Sequence, residues 1–190
     1  MVRRYADLLA GPGVVRGLLG PREVPRLWAR HLLNCAALGE LVPPGSSVVD
    51  LGSGAGLPGL VMALMRPDVT VALVEPLLRR TTFLGECISD LGISNARVVR
   101  GRAEDLAGRL AADVVTARAV APLARLAGLA VGLVRPGGQI LAVKGARAEE
   151  EVAHARPGFR RLGIQDVNVV YAGGGRVDPA VTVVRLTVGP

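Results

Sequence analysis

The chain has 190 residues, half of them hydrophobic, and a formal net charge of +7. This length predicts one domain that can bury a core. The longest uncharged apolar run, residues 126–134, is too short to span a bilayer, and Asp7 interrupts the N-terminal apolar stretch. We therefore expect a soluble, cytoplasmic protein with no membrane partner and no secretory signal.

The positive charge is concentrated near the N-terminus. Residues 1–30 carry six arginines against two acidic residues: Arg3, Arg4, Arg16, Arg22, Arg26 and Arg30. A basic segment of this kind predicts a surface that contacts phosphates, for which Arg26 and Arg30 are candidates; a solvated face is the alternative. Lys144 is the only lysine, so the arginine excess also fits the codon bias of a GC-rich genome.

Residues 1–44 are predicted to be a helical N-terminal extension. Apolar side chains recur there at helical spacing after Gly20-Pro21, and the opposite face carries Arg22, Arg26 and Arg30. Trp28 falls on the apolar face, and we expect it in the core together with Phe83. Pro43-Pro44-Gly45 ends the segment. The remaining residues, 45–190, are predicted to form the main domain, with both parts in one compact unit.

From Ser46 the pattern changes to alternating strands and helices. Strands are predicted at 47–51, 69–75, 96–100, 113–117 and 138–144, and helices at 57–66, 77–91, 104–110, 121–134 and 147–154. Residues 165–172 and 180–188, joined by GGGRVDP, predict an antiparallel hairpin. The fold class is therefore α/β: a Rossmann-like, mostly parallel, seven-stranded sheet ending in an antiparallel hairpin. This layout is typical of methyltransferases that use S-adenosylmethionine.

The stretch VVDLGSGAGLPG places four glycines after the first predicted strand. Because glycine permits sharp turns and close approach of a ligand, this loop predicts a binding site. Gly54, Gly56 and Gly59 match the G-x-G-x-x-G of a dinucleotide site. Asp50, Gly52, Gly54 and Gly56 match instead the first motif of an S-adenosylmethionine-dependent methyltransferase.

Of the acidic residues near the strand ends, Asp50 favours S-adenosylmethionine over a dinucleotide, whereas Glu75 supports an adenosine site, which both ligands would need. Asp50 would oppose a pyrophosphate but favour an ammonium or a sulfonium. Glu75, 23 residues beyond Gly52, ends the next strand, where a carboxylate can accept both ribose hydroxyls of an adenosine. Residues 102–105, RAED, occupy the place of an adenine-contacting pair, although an acidic first helical turn is an equal alternative.

Two cysteines give no sign of a metal or disulfide framework. Cys35 and Cys87 lie far apart, without C-x-x-C spacing or a histidine cluster nearby. We expect both to be small, buried, reduced core residues, and we expect no metal.

Several blocks together are more specific than the glycine loop. GSGAGLPG with EPLLRRTTFL, RAEDL, VVTARAVAPL and LAVKG, preceded by GPREVPRLWARHLLNCAAL, resembles the bacterial 16S rRNA guanine-N7 methyltransferases, the glucose-inhibited division protein B family, in the form seen in actinobacteria. The resemblance covers about residues 15–188. It implies transfer of a methyl group from S-adenosylmethionine to N7 of guanine 527 of 16S rRNA, within the small ribosomal subunit.

The resemblance also implies roles for individual residues. Gly52 and Leu57, beside Asp50 and Gly54 of the motif, would contact the methyl donor. Glu75 would hold its ribose, and Ala103 with Glu104 would flank its adenine. Arg118 would lie near the methionine end and the RNA-facing mouth. The residues implied on the RNA surface, beyond Arg26 and Arg30, are His31, Asn34, Arg79, Arg80 and Lys144.

N7 of guanine carries a lone pair and no proton, so this reaction needs no general base. Holding N7 close to the methyl group is sufficient catalysis. The sequence agrees, because no N-P-P-Y-type motif follows the fourth strand and no Pro-Cys nucleophile is present. Arg118, at the end of the fourth strand, is the strongest candidate for a positioning role, by clamping a carboxylate or phosphate. His31 is equally consistent with a buried core histidine.

Three other functions compete with this interpretation. A methyltransferase of a small molecule would not need the basic N-terminal helix, and a nicotinamide-dependent oxidoreductase would use the glycines for NAD. A non-catalytic RNA-binding factor would bind RNA in a salt-sensitive way without methyl transfer. We expect a monomer.

Overall fold

The computed structural model describes residues 1–190 and contains one seven-stranded sheet. The strands are β1 (Ser47–Leu51), β2 (Thr70–Glu75), β3 (Ala96–Arg100), β4 (Ala112–Arg118), β5 (Val134–Val143), β6 (Ile164–Ala172) and β7 (Val181–Val188). Their order is β3-β2-β1-β4-β5-β7-β6. The first five are parallel, and β7 pairs antiparallel with both β5 and β6. The predicted fold class is therefore confirmed.

Seven α-helices accompany the sheet: α1 (Val2–Leu8), α2 (Leu33–Leu38), α3 (Gly59–Met65), α4 (Leu78–Leu91), α5 (Ala103–Leu106), α6 (Leu123–Val131) and α7 (Ala148–Phe159). The predicted helix at 104–110 is shorter than expected, because Ala107 leaves the helical region with a ψ of 131° and Gly108 follows with a φ of +74°. The predicted helix at 147–154 is longer: it ends at Phe159, and a 3-10 turn over Arg160–Leu162 follows. None of the helices is long and apolar enough to cross a membrane.

The sheet separates two apolar cores. One lies under α6 and α7 and includes Leu126, Ile140 and Leu186. The other contains strand residues together with Tyr5 and Leu38 of the N-terminal helices. Because residues 1–44 pack on this face of the sheet together with α3 and α4, the N-terminal extension shares a core with the rest of the chain.

The N-terminal segment is less regular than its pattern suggests. Residues Leu27–Leu32 form a π-helical turn between a 3-10 turn and α2. A π turn holds more residues than an α turn and so rotates the following side chains around the axis. His31 and Leu32 remain buried, whereas Trp28 is 45% exposed. The expectation that Trp28 lies in the core is wrong, because Leu27, His31 and Leu32 occupy the buried side of this turn and Trp28 lies beside them toward solvent; Phe83 is buried as predicted.

Candidate active site

Two cavities open at the carboxyl edge of the parallel strands. The first cavity, about 550 Å³, lies over the ends of β1, β2 and β3. Its walls include Gly52, Glu75, Ala103 and Glu104, so the structure brings these four predicted residues together. The remaining wall comes from the turn after β4 and from α6, including Val120. Ligands of open α/β sheets bind at this edge.

Glu75 is the charged centre of the first cavity. It is 1% exposed, and its carboxylate accepts hydrogen bonds from the backbone N–H of Gly54 at 3.1 Å and of Leu77 at 3.1 Å. Arg80 donates to the same carboxylate at 3.3 Å. The predicted RNA residue Arg80 therefore lies in the first cavity, because the acid at the strand end attracts it there. Gly54 does not line the first cavity, but its N–H holds the carboxylate of Glu75 there.

The glycine loop needs glycine for two different reasons. Gly52 has a φ of +70°, and a Cβ there would approach Val120 Cγ2 to 2.8 Å. A Cβ on Gly59 would lie 2.6 Å from Asp50 Oδ2, and its N–H already donates to that oxygen at 2.9 Å. Gly59 therefore faces the sheet, and its N–H is not free for a pyrophosphate. This argues against the dinucleotide interpretation.

Asp50 lies beneath the loop instead of lining the first cavity. It is 1% exposed, and its second oxygen accepts from Thr116 Oγ1 at 3.2 Å across the β1–β4 pair. Burial raises the pKa of its carboxyl to about 6, even though Gly59, Ser53 and Thr116 stabilise the ionised form through hydrogen bonds. Asp50 therefore does not line the first cavity, and its direct contact with the methyl donor stays a prediction.

Tyr5 is a residue of the site that the sequence did not single out. Its hydroxyl is fully buried and donates to the carbonyl of Ala55 in the glycine loop at 2.7 Å. A Cβ on Gly56 would approach that hydroxyl to 2.6 Å. The loop thus rests on the first helix of the chain. Leu57 packs against the same core and does not line the cavity.

The second cavity, about 280 Å³, lies beside the first over β4 and β5. Its lining includes Arg30, His31 and Asn34 from the N-terminal helices. Arg118 and Ala119 form the wall nearest the sheet, and Ala119 lines the first cavity as well. Ala119 has a φ of +56°, which is uncommon for a residue with a side chain. The two cavities therefore meet at the end of β4.

The guanidinium of Arg118 is held by neighbours without a formal negative charge. It donates to Cys35 Sγ at 3.3 Å and to Nδ1 of His31. Burial raises the pKa of the Cys35 thiol to about 11, so the sulfur stays protonated at neutral pH. Both cysteines are free and buried, as predicted.

Lys144 has internal partners. Its ammonium donates to Glu151 Oε2 at 2.8 Å and to the carbonyl of Ala121 at 3.0 Å, and its side chain is only 10% exposed. The same oxygen of Glu151 accepts from the N–H of Leu123 at 2.9 Å, at the start of α6. Lys144 therefore connects the turn after β4 to α7. It also lines the second cavity, so its place on the RNA surface stays a prediction.

The other predicted RNA residues are distributed around the second cavity. Arg30 and Asn34 line it, whereas Arg26 and Arg79 are exposed away from its walls. His31 is buried, which matches the core alternative, yet it lines the second cavity at the same time. No group of acidic, cysteine or histidine side chains could hold a metal ion.

Comparisons with known proteins agree with this geometry. Residues 1–178 match the family described as GidB, rRNA small subunit methyltransferase G. A protein named ribosomal RNA small subunit methyltransferase G from Thermobifida fusca is 60% identical over 188 residues, 99% of this chain and 79% of that protein. The protein of the same name from Streptomyces avermitilis is 57% identical over 98% of this chain and 79% of its own length.

Solved structures with the same fold are more distant in sequence. The S-adenosylmethionine-dependent methyltransferase SibL superposes with a TM-score of 0.69 at 17% identity, covering 98% of this chain and 62% of SibL. Fibrillarin from Aeropyrum pernix, solved with bound S-adenosylmethionine, has a TM-score of 0.60 at 20% identity over 81% of this chain and 76% of its own. The fold is thus the Rossmann-like fold of S-adenosylmethionine-dependent methyltransferases, and the chain belongs to the rRNA small subunit methyltransferase G (GidB) family.

Proposed function

We propose that this protein transfers the methyl group of S-adenosylmethionine to N7 of guanine 527 in 16S rRNA. The observation that carries the proposal is the junction of the two cavities at Ala119. A donor in the first cavity and a base in the second would face each other across the end of β4. Proximity of this kind is enough to accelerate a direct displacement.

The residues of the first cavity fit S-adenosylmethionine. Glu75 presents a buried carboxylate to the ribose, between the glycine loop and the α5 residues Ala103 and Glu104. Gly52 leaves the space that a side chain would fill beside Val120. The ionised form of Asp50, beneath the loop, favours a cationic ligand without touching it. When bound, S-adenosylmethionine supplies the electrophilic methyl group of a sulfonium.

The second cavity offers no free general base, and this supports N7 as the acceptor atom. Both ring nitrogens of His31 have partners, Glu23 and Arg118. The Cys35 thiol stays protonated because burial raises its pKa to about 11. An exocyclic amine would have to lose a proton on methylation, whereas N7 attacks through its lone pair and needs only to be positioned.

The rim of the second cavity supports an RNA substrate over a small molecule. Arg30 lines it, and Arg26 and Trp28 are exposed on the same helical segment. Cations bind the phosphate backbone, and an exposed aromatic ring can stack on an unpaired base. We include Trp28 in the RNA surface for this reason. We also propose that the protein acts in the cytoplasm as a monomer.

The test uses radiolabelled S-adenosylmethionine with small-subunit RNA from cells that lack this methylation, presented free and as assembled subunits. Chemical cleavage at N7-methylguanine then locates the labelled base. Label at guanine 527 would support all three parts of the proposal: the methyl donor, the RNA substrate and N7 as the methylated atom. Binding of S-adenosylmethionine without label in either RNA form would contradict the RNA substrate and leave a small molecule as the acceptor. Binding of NAD instead would support the oxidoreductase alternative.

A further inference from the structure

His31 connects an acidic side chain to the cation of the second cavity. Its Nε2 lies 2.7 Å from Glu23 Oε2, and its Nδ1 contacts a terminal nitrogen of Arg118. The side chain of His31 is 9% exposed, whereas that of Glu23 is 30% exposed. The three side chains therefore form a hydrogen-bonded chain from the protein surface to the end of β4.

The two partners of His31 determine where its proton lies. A guanidinium has only donors, so Nδ1 must accept from Arg118. An ionised carboxylate has only acceptors, so Nε2 must donate to Glu23. Only the neutral imidazole with its proton on Nε2 satisfies both contacts. A second proton would place an N–H of His31 against an N–H of Arg118.

This arrangement holds Arg118 without cancelling its charge. Its two side-chain acceptors, the imidazole of His31 and the thiol of Cys35, are both neutral. Other arginines differ: Arg66 pairs directly with Asp68 at 2.7 Å, and Arg80 with Glu75 at 3.3 Å. Placing the carboxylate one residue away therefore orients the guanidinium and leaves its charge available to an anionic partner.

We propose that Glu23 is a positioning residue for methyl transfer, which acts through His31 to fix the guanidinium of Arg118 in the second cavity. The inference rests on the proposed function, since Arg118 must face a substrate there. Glu23 does not touch the cavity itself. Its role is to set the tautomer of His31 and thereby the direction of the contact with Arg118.

The surrounding charges determine the response to pH. Burial lowers the pKa of His31, the hydrogen bond that it donates to Glu23 raises it, and the positive charges of Arg118 and Arg30 lower it; the net direction is down. Arg30 lies 3.8 Å from Glu23, and Arg26 also acts on that carboxylate. His31 is thus neutral at pH 7. Acidification protonates it as pH falls through the pKa of His31, and this breaks its hydrogen bond with Arg118.

The first experiment separates kcat from KM in RNA methylation by Glu23→Ala, Glu23→Gln and the control Glu86→Ala. Glu86 is an exposed acid on α4 that pairs with Arg16, so its removal makes the same change in net charge away from the second cavity. We expect Glu23→Ala to lower kcat about tenfold without raising KM for RNA, because only the orientation of Arg118 is lost. Glutamine keeps an oxygen that accepts from Nε2, so Glu23→Gln should retain most of kcat.

The pH profile and the tautomer provide readouts that a surface acid would not change. In Glu23→Gln the acid limb of kcat should move to lower pH, because the carboxylate no longer favours protonated His31. The chain has two histidines, so nitrogen NMR of histidine-labelled His154→Gln protein observes His31 alone. It should show the Nε2–H tautomer, and Glu23→Ala should mix the tautomers.

Opposite results would overturn the inference. Equal kcat in all variants, with KM lowered in both Glu23 substitutions, would make Glu23 an ordinary acid that repels RNA. A His31 tautomer unaffected by Glu23→Ala would reject the chain of hydrogen bonds itself. The NMR result does not depend on methylation, so it stands even where the wild-type protein fails to methylate RNA and the proposed function is wrong.

Discussion

The first cavity is built from the ends of strands, whereas the second is built from side chains that reach over the same edge from the N-terminal helices. Glu75 and Gly52 hold their positions through backbone N–H groups and backbone torsion angles. In the second cavity, Arg118 depends on His31, which depends on Glu23. A strand end positions a residue through the neighbouring backbone alone, whereas the position of Arg118 can be changed by substituting any one of the linked side chains. The following predictions test this difference.

The largest expected effect comes from breaking the first cavity with Glu75→Ala. The change removes the acceptor for two backbone N–H groups and for the ribose of the donor. Because hydrogen bonds to a charged group contribute about 1.5–3 kcal/mol each, affinity for S-adenosylmethionine should fall about 100-fold in calorimetry. RNA affinity should stay unchanged.

Asp105→Ala is the matched control, because Asp105 is an exposed acid beside Glu104 that does not line the first cavity. Retention of donor affinity by Glu75→Ala, or an equal loss in the control, would contradict the role given to Glu75.

Trp28→Ala, on the helical segment beside the second cavity, should weaken RNA binding and leave donor binding unchanged, the reverse of Glu75→Ala. Because stacking on an aromatic ring contributes about 1–3 kcal/mol per base, KM for RNA should rise about tenfold, with donor affinity unchanged. Trp28 is the only tryptophan, so quenching of protein fluorescence by RNA measures the contact directly. Tyr171→Ala, an exposed aromatic on β6, serves as the control. Unquenched fluorescence at saturating RNA would show that Trp28 is not part of the RNA contact surface.

Asp50→Asn tests whether the first cavity needs the negative charge of Asp50 or only the shape of its side chain. Asparagine can still accept from Gly59 but lacks the negative charge, so donor affinity at pH 7.5 should fall about fivefold. In the wild type, affinity should fall as pH drops through about 6, where Asp50 takes up a proton; the variant should show no such step.

The thermal stability of Asp50→Asn should not fall together with its donor affinity. A carboxyl whose pKa is raised in the folded state contributes stability below its ordinary pKa and loses it as pH rises through about 6. Asp50→Asn should therefore keep or increase Tm at pH 7.5. A large fall in Tm would show that the charge supports the loop itself.

The smallest effect on binding is expected for Tyr5→Phe. It leaves the carbonyl of Ala55 without its buried partner, at a cost of about 1–3 kcal/mol in the free energy of unfolding. Donor affinity should fall only about twofold, because the loop keeps its contacts with Glu75 and Asp50. Chemical denaturation and calorimetry measure the two effects, with Tyr171→Phe as the exposed control. Unchanged stability would mean that the hydroxyl bond contributes nothing.

Sequence patterns anticipated most of the first cavity. Glu75 and Gly52 stand at strand ends, and the ends of parallel strands meet at one edge of the sheet. The residues Ala103 and Glu104 follow β3 by the same rule. The positions of the strands and the final hairpin also followed from hydrophobic periodicity and turn residues.

The second cavity could be predicted only in part, because long side chains choose partners that are distant in sequence. Arg80 pairs with Glu75 and Lys144 pairs with Glu151, so two of the residues expected on the RNA surface also have internal partners. The exposure of Trp28 depends on a π turn, which no spacing of apolar residues reveals. Tyr5 showed one signal, a polar aromatic among the apolar residues of α1, but its partner Ala55 lies 50 residues away.

The tie between Lys144 and Glu151 has a consequence for cooperativity. It holds the turn that carries Ala119, the residue common to both cavities, before any ligand arrives. Two ligands that share a segment reinforce each other when the first bears the entropy cost of ordering it for the second. Here the segment is already ordered, so donor and RNA should bind with almost no free energy of coupling, and neither order of addition should be favoured.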